Sequence, residues 1–172
     1  TLENITSKHY HYKAVEVFCA HEEIRYIDRE KIEKNITLID KYKIFISKGN
    51  GGAGVINMEK AVAILGKAHI GKPNTVCTDS LIPIGPFETK EEVINLKKYM
   101  STKFLRFMVG ILKTSQNISQ TVYQFVPLQD FSNKSDINWN KSISEIDLQL
   151  YRKYNLNEEE QKFIEERITV ME

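Results

Sequence analysis

Four stretches of this chain carry residue types that could do chemistry. Gly49-Asn50-Gly51-Gly52-Ala53-Gly54 fits the GxGxxG spacing that lets a backbone approach a pyrophosphate at a helix start. Asp79, Glu88 and Lys90 mimic the Asp…Glu-x-Lys metal site of nucleases, where two carboxylates hold Mg²⁺ and a lysine faces the attacked phosphate. His9, His11, Cys19 and His21 are zinc-ligand types. Lys113-Thr114-Ser115-Gln116-Asn117 is a polar, basic run. Glutamine and asparagine pair two-pronged with adenine in the major groove, while lysine and threonine hold phosphate.

Each has a plainer reading. The strand before the glycines is rich in lysine and half polar, unlike a buried parallel strand. No acid closes a second strand at the distance a dinucleotide fold needs, and a P-loop's lysine and threonine are missing. The glycine run then reads as a loop that brings backbone close to DNA, or as a turn. Thr89 fits an N-cap, which leaves Glu88 and Lys90 as ordinary residues of a first helical turn. The histidine and cysteine spacing matches no zinc finger or ribbon, and a Cys19–His21 pair has no third group to orient it for catalysis. Polar loops such as 113–120 are often merely solvated. Trp139, flanked by Asn138 and Asn140, is expected to anchor a polar segment to the body; stacking on a base is the alternative.

The elements that must position these groups follow from periodicity and punctuation. Tyr10, Tyr12, Val15, Val17 and Cys19 alternate with polar residues, which predicts strands. Residues 24–27 read as another, and Asp28 as a cap for helix from Arg29. Strands are expected over 42–47, over 80–84 with a stop at Gly85-Pro86, and over 122–126 with a block at Pro127. Residues 55–65 could supply a helix after the glycines. Thr89 with Glu92 makes a capping box for a helix to about Met100, buried along Val93, Leu96 and Met100. A second helix over 102–112 is apolar on most sides. Ser144 and Asn157 read as caps of two terminal helices, Asn157 with a capping-box Glu160. Strands first and helices later predict an α+β fold, with a mixed or antiparallel sheet, helices packed on one side and a helical C-terminal tail.

At 172 residues the chain suits one domain and needs no metal or disulfide staple. Its two cysteines make no disulfide framework, and reduced thiols in a cytoplasm are expected. It has no signal sequence and no long apolar run, so no membrane partner is expected. It begins at Thr1 rather than Met and reads as a piece of a longer protein. The net charge of +1 hides an asymmetry: residues 143–172 carry eight acids and four bases, a net −4, and the remainder +5. The chain therefore divides into a basic α/β body, 1–142, and an acidic helical tail, 143–172. From 41 to 78 there are six lysines and one acid, Glu59; from 93 to 129 there are five bases and no acid. Single-signed patches of this kind suit phosphate.

One ordered set of segments goes further. Residues 40–48 lead into the glycines; then come Leu65-Gly66-Lys67, Pro73-Asn74, Cys77-Thr78-Asp79 and Ile84-Gly85-Pro86-Phe87. Thr102-Lys103-Phe104-Leu105-Arg106-Phe107, Tyr123-Gln124-Phe125-Val126-Pro127-Leu128-Gln129-Asp130-Phe131 and Leu150-Tyr151-Arg152-Lys153-Tyr154 follow. Over roughly residues 24–168 this order resembles the C-terminal target-recognition region of bacterial adenine-specific DNA methyltransferases, and of type II restriction-modification enzymes that fuse one to an endonuclease. The chain departs from that family in lacking the catalytic Asn/Asp-Pro-Pro-Tyr and cofactor-binding motifs, and in a longer polar insert at 132–143. The resemblance implies a chain that reads double-stranded DNA and does no chemistry. It implies no cofactor here, with S-adenosylmethionine, and Mg²⁺ where a nuclease is fused, used by the parent protein. The implied partners are double-stranded DNA and the catalytic methyltransferase portion of the same protein. The DNA-binding candidates are Lys48, Asn50, Lys67, Lys72, Asn74, Lys113, Thr114, Gln116, Asn117 and Gln120, with no catalytic residue and no metal ligand. Lys48, Lys67 and Lys72 are expected on one face with the glycine loop. The alternatives are a small nucleotide-binding enzyme domain using residues 49–54, and a protein-interaction module.

Overall fold

A computed structural model of the chain describes residues 14–19, 23–49, 56–113 and 120–171. The fold is α+β. Strands β1 (Ala14–Phe18), β2 (Ile24–Asp28) and β5 (Thr75–Cys77) make a mixed sheet in the order β2-β1-β5, antiparallel then parallel. Strands β3 (Tyr42–Ser47), β4 (His69–Gly71) and β6 (Leu81–Phe87) make an antiparallel sheet in the order β4-β3-β6. Among the described residues four α-helices follow: α1 (Lys90–Ser101), α2 (Lys103–Leu112), α3 (Ile143–Lys153) and α4 (Glu158–Arg167). No described helix is long and apolar enough to cross a membrane.

The helix starts are set by local chemistry. Thr89 accepts from the Glu92 amide while the Glu92 side chain accepts from the Thr89 amide, which satisfies two orphan donors of α1. Asn157 and Glu160 do the same for α4. The cap of α3 is Ser142 with Glu145, not Ser144. Ser144 has an acid three residues on, Asp147, but that carboxylate is committed to α2. Asp28 caps only one 3₁₀ turn, Arg29–Lys31.

Two strand expectations need correction. β6 runs through Gly85-Pro86 to Phe87 instead of stopping there. It is an edge strand of its sheet, where a proline's missing N–H is tolerated. A register shift between Tyr42 and Ile44 absorbs Gly85, which lies so close to Lys43 that a Cβ would sit 3.1 Å from the lysine's own. Residues 122–126 form no strand: a 3₁₀ turn, Gln120–Tyr123, leads into an irregular segment. The turn buries Val122 and leaves Phe125 exposed.

One hydrophobic cluster joins Ile44 and Ile46 of β3, Val93 and Leu96 of α1, Phe104 and Val109 of α2, Ile146 and Leu150 of α3, and Ile164 of α4. Helices α3 and α4 thus pack with the basic body, most of their charges turned outward and Asp147 buried. The insert also belongs to this core. Trp139 is buried against Tyr99 and Phe131, and its indole donates to the Asp130 carbonyl at 3.0 Å. This is the anchoring expected of it.

Candidate nucleic-acid interface

The glycine run leaves the second sheet at the far end of β3. Lys48 keeps its backbone tied there, its amide donating to the Ser80 carbonyl at 3.0 Å. Its ammonium pairs with Asp79 at 2.7 Å. The chain is described again at Ile56, and from there to Leu65 it forms no helix. The dinucleotide arrangement therefore lacks its helix among the described residues.

Instead the irregular strap 56–65, with a single bridge at Val62, is gripped by two elements. Val62 pairs with Ile168 just beyond α4, through its amide on the Arg167 carbonyl at 2.9 Å and its carbonyl on the Thr169 amide at 3.2 Å. The second is the C-terminal end of α2. Gly110 is in direct contact with the strap: a Cβ there would stand 2.9 Å from Cγ1 of Ile56 and 3.1 Å from Cδ1 of Ile64. Three residues on, the side chain of Lys113 is 1% exposed and its ammonium donates to the Ile64 carbonyl at 2.9 Å. Burial holds its pKa below the usual lysine value.

This packing sets Ile56 and Ile64 against the C-terminal end of α2, at Gly110 and Lys113. Lys67 stands nearby, exposed, only three residues after Ile64 and so within about 10 Å of it along the chain. Phe45 pairs with His69, so Lys67, two residues earlier, lies toward the Lys48 end of β3. Gln120 begins the 3₁₀ turn that brings the polar loop back onto α2. Asn50, Thr114, Gln116 and Asn117 lie outside the described residues.

The other candidates are elsewhere or already committed. Lys113 faces inward, so it is a packing residue and not a surface phosphate contact. Lys72 follows β4 at the Lys43 end of the sheet, and the length of β3, roughly 17 Å, separates that end from Lys48. The expected single face of Lys48, Lys67 and Lys72 is therefore split. Asn74 adopts a left-handed backbone, φ 61°, and locks the turn between β4 and β5. Its amide donates to Ile39 at 2.7 Å and its side chain to Ala14 at 3.0 Å. The carbonyl of Lys72 accepts from the Lys43 ammonium at 2.9 Å and from the Thr75 hydroxyl at 2.6 Å.

The basic windows shrink in the same way. Between 41 and 78, Lys41 pairs with Glu88, Lys48 pairs with Asp79, and Lys43 is buried. Between 93 and 129, Lys98 holds the Trp139 carbonyl, Lys103 pairs with Glu165, and Arg106 and Lys113 are buried. The excess of bases in the sequence is therefore spent largely on internal acceptors. A polar cleft of about 290 Å³ beside the insert, lined by Asn95, Asn133 and Asn140, carries Glu91 and Asp136, whose charge disfavours phosphate.

The nuclease-like acids do not converge. Asp79 precedes β6 and Glu88 follows it, with roughly 20 Å of strand between them. No group of three histidines, cysteines or acids able to hold a metal occurs among the described residues. His9, His11 and His21 lie outside them. Cys19 and Cys77 are free thiols, and burial pushes both up, Cys77 to about 12, far from a nucleophile's range.

Gly110 and Ile56 were not singled out in the sequence. A glycine inside an otherwise strongly apolar helix was the available signal, since it costs helix stability unless close packing requires it. No protein-family model, curated protein or solved structure matches the chain.

Proposed function

We propose that this chain binds double-stranded DNA sequence-specifically, as the target-recognition domain of a restriction-modification adenine methyltransferase whose catalysis lies outside it. The observation that supports the reading is that α2 packs its C-terminal end on the chain after the glycine run, Gly110 against Ile56 and Lys113 on the Ile64 carbonyl. A glycine-rich segment can lay backbone against phosphates, and an amide-bearing segment can read base edges. Both need a rigid base, and α2 supplies one: Phe104, Leu105 and Val109 are at most 3% exposed. S-adenosylmethionine, and Mg²⁺ for a fused nuclease, would act on the parent protein's catalytic portion.

Binding should be steeply salt-dependent. Lys67→Ala should weaken binding to every duplex alike and flatten the slope of log K against log salt by about one. Lys72→Ala, at the opposite end of the sheet, should leave the slope unchanged. Asp79→Asn removes the acid that neutralises Lys48 and should tighten binding with a steeper slope. Fluorescence anisotropy with a labelled duplex at several salt concentrations reads all three. A slope near zero for the wild type would sink the DNA reading.

The isolated chain is also expected to show no methyl transfer and no cleavage. Incubation with DNA, Mg²⁺ and labelled S-adenosylmethionine checks this, and activity from pure protein would overturn a recognition-only role. A second reading, a protein-interaction surface, is favoured by Phe125 and Leu128, which are 55% and 90% exposed within one short segment. Exposed apolar side chains of this size suit a protein partner such as the catalytic portion. That contact would survive salt that releases DNA.

A further inference from the structure

We propose that the cleft between the first half of α1 and residues 132–140 binds a small organic cation, a ligand that carries a guanidinium or primary ammonium group. Such a site is independent of DNA recognition and gives the polar insert a role of its own. The cleft offers about 290 Å³, room for a small molecule and not only for a water or two. Its insert wall is preformed. The Asn138 amide donates to Oε1 of Gln149 at 2.8 Å, Asp136 pairs with Lys153 at 2.8 Å, and the Trp139 indole donates to the Asp130 carbonyl at 3.0 Å.

The buried side of the cleft points to a ligand. Asn95 is 8% exposed, yet half of its side-chain hydrogen-bonding capacity is unused. Its Nδ2 donates to the Phe131 carbonyl at 2.8 Å, and a carbonyl only accepts, so the orientation of the amide is fixed. Oδ1 has no partner among the described residues and opens on the cleft that Asn95 lines. Glu91, one turn earlier on the same face of α1, brings a carboxylate to the rim and makes no ion pair with any described residue. A buried acceptor beside a free carboxylate calls for a positively charged donor. Asn133 and Asn140, exposed on the insert's side, add amide oxygens. Other chemistries fit less well. Phosphate would meet Glu91 and no free cation, because Lys98 is bonded to the Trp139 carbonyl, and Lys153 to Asp136 and Gln129. Calcium favours several anionic oxygens, whereas Lys153 already neutralises Asp136 and no group of three acids, histidines or cysteines gathers among the described residues.

Trp139 is the chain's one tryptophan and lines the cleft, so its fluorescence reports on occupancy. Titration with agmatine, which carries a guanidinium at one end and a primary ammonium at the other, should give a saturable change. Uncharged 1,4-butanediol should bind at least about tenfold more weakly. In ¹⁵N NMR spectra the side-chain amide of Asn95 and the indole of Trp139 should shift along the same curve. Glu91→Gln keeps the shape, removes the charge and should weaken agmatine about tenfold. Glu159→Gln removes another exposed acid, on α4, and should leave the affinity unchanged. Any of four results would overturn the proposal. They are no saturation by about 10 mM agmatine, equal affinity for butanediol, equal loss in the two glutamine variants, and saturation by Ca²⁺ in place of agmatine.

Discussion

Replacing Lys43 with methionine should destabilise the protein by about 3–4 kcal/mol, the scale of losing several hydrogen bonds from a charged donor in a buried site. Lys43 is 1% exposed, and its ammonium donates to four carbonyls, those of Leu38, Ile39, Lys41 and Lys72, at 2.7–2.9 Å. Burial pushes its pKa down to about 8, so it remains charged at neutral pH. Those carbonyls come from a 3₁₀ turn (Ile36–Leu38), the entry to β3, and the turn after β4. A single ammonium, its three protons shared among four acceptors, thus ties three backbone segments. The Leu38, Ile39 and Lys72 carbonyls keep a second donor without it, so the loss is that of charge-assisted bonds plus one unpaired acceptor, the Lys41 carbonyl. Methionine matches the volume and supplies no donor. Arginine keeps the charge but spreads its donors over a planar fork, so it should rescue only part of the loss. Urea unfolding would show a lower midpoint at unchanged slope. A loss below about 1 kcal/mol would mean that water replaces the ammonium at all four carbonyls.

Lys43 also shows where sequence reasoning misled. A run of lysines with one acid among them suggests a phosphate-binding face, because a lysine counted in sequence is assumed to be outside. Burial of a charge depends on carbonyls brought together from residues 38–41 and 72, which no local pattern reveals. Lys113 deceived for the same reason, its acceptor lying 49 residues away. The capping boxes at Thr89 and Asn157 were legible because their partners are three residues apart. The stripe Val93, Leu96 and Met100 was legible because one helix face carries it.

The interface divides along the same line. Residues 49–54 and 113–120 read as loops from composition, and most of them lie outside the described residues. The contact of Gly110 with Ile56 was not legible, because Gly110 announces only that something must come close. Residues 122–126 pair with no described strand, and the 3₁₀ turn at Gln120–Tyr123 instead buries Val122 in the core shared with the helices.

The second large effect concerns Asp147. Its carboxylate is 2% exposed and accepts from the Lys103 amide at 3.0 Å and the Phe104 amide at 2.9 Å, so α3 caps the first turn of α2. Asp147→Ala would leave two buried N–H groups unpaired, a loss of roughly 3–5 kcal/mol at neutral pH. The loss should depend on pH in an unusual direction. Burial raises the Asp147 carboxyl to about 6, from an ordinary value of 3.8, against the opposing pull of the two amides. Between those values the folded state holds a proton that the unfolded state has released. The contribution of Asp147 is therefore fullest below the unfolded value and falls as pH rises through about 6, by roughly 2–3 kcal/mol. Exposed acids held below their usual range by their partners, Asp40, Asp79, Asp130 and Glu145, titrate alike in wild type and variant. The difference between the two proteins thus isolates Asp147. Denaturant unfolding of both at pH 4.5 and pH 7.5 should show the wild-type advantage larger in acid. An advantage that shrinks on acidification would mean that the helix amides outweigh desolvation and hold the carboxyl below its ordinary value.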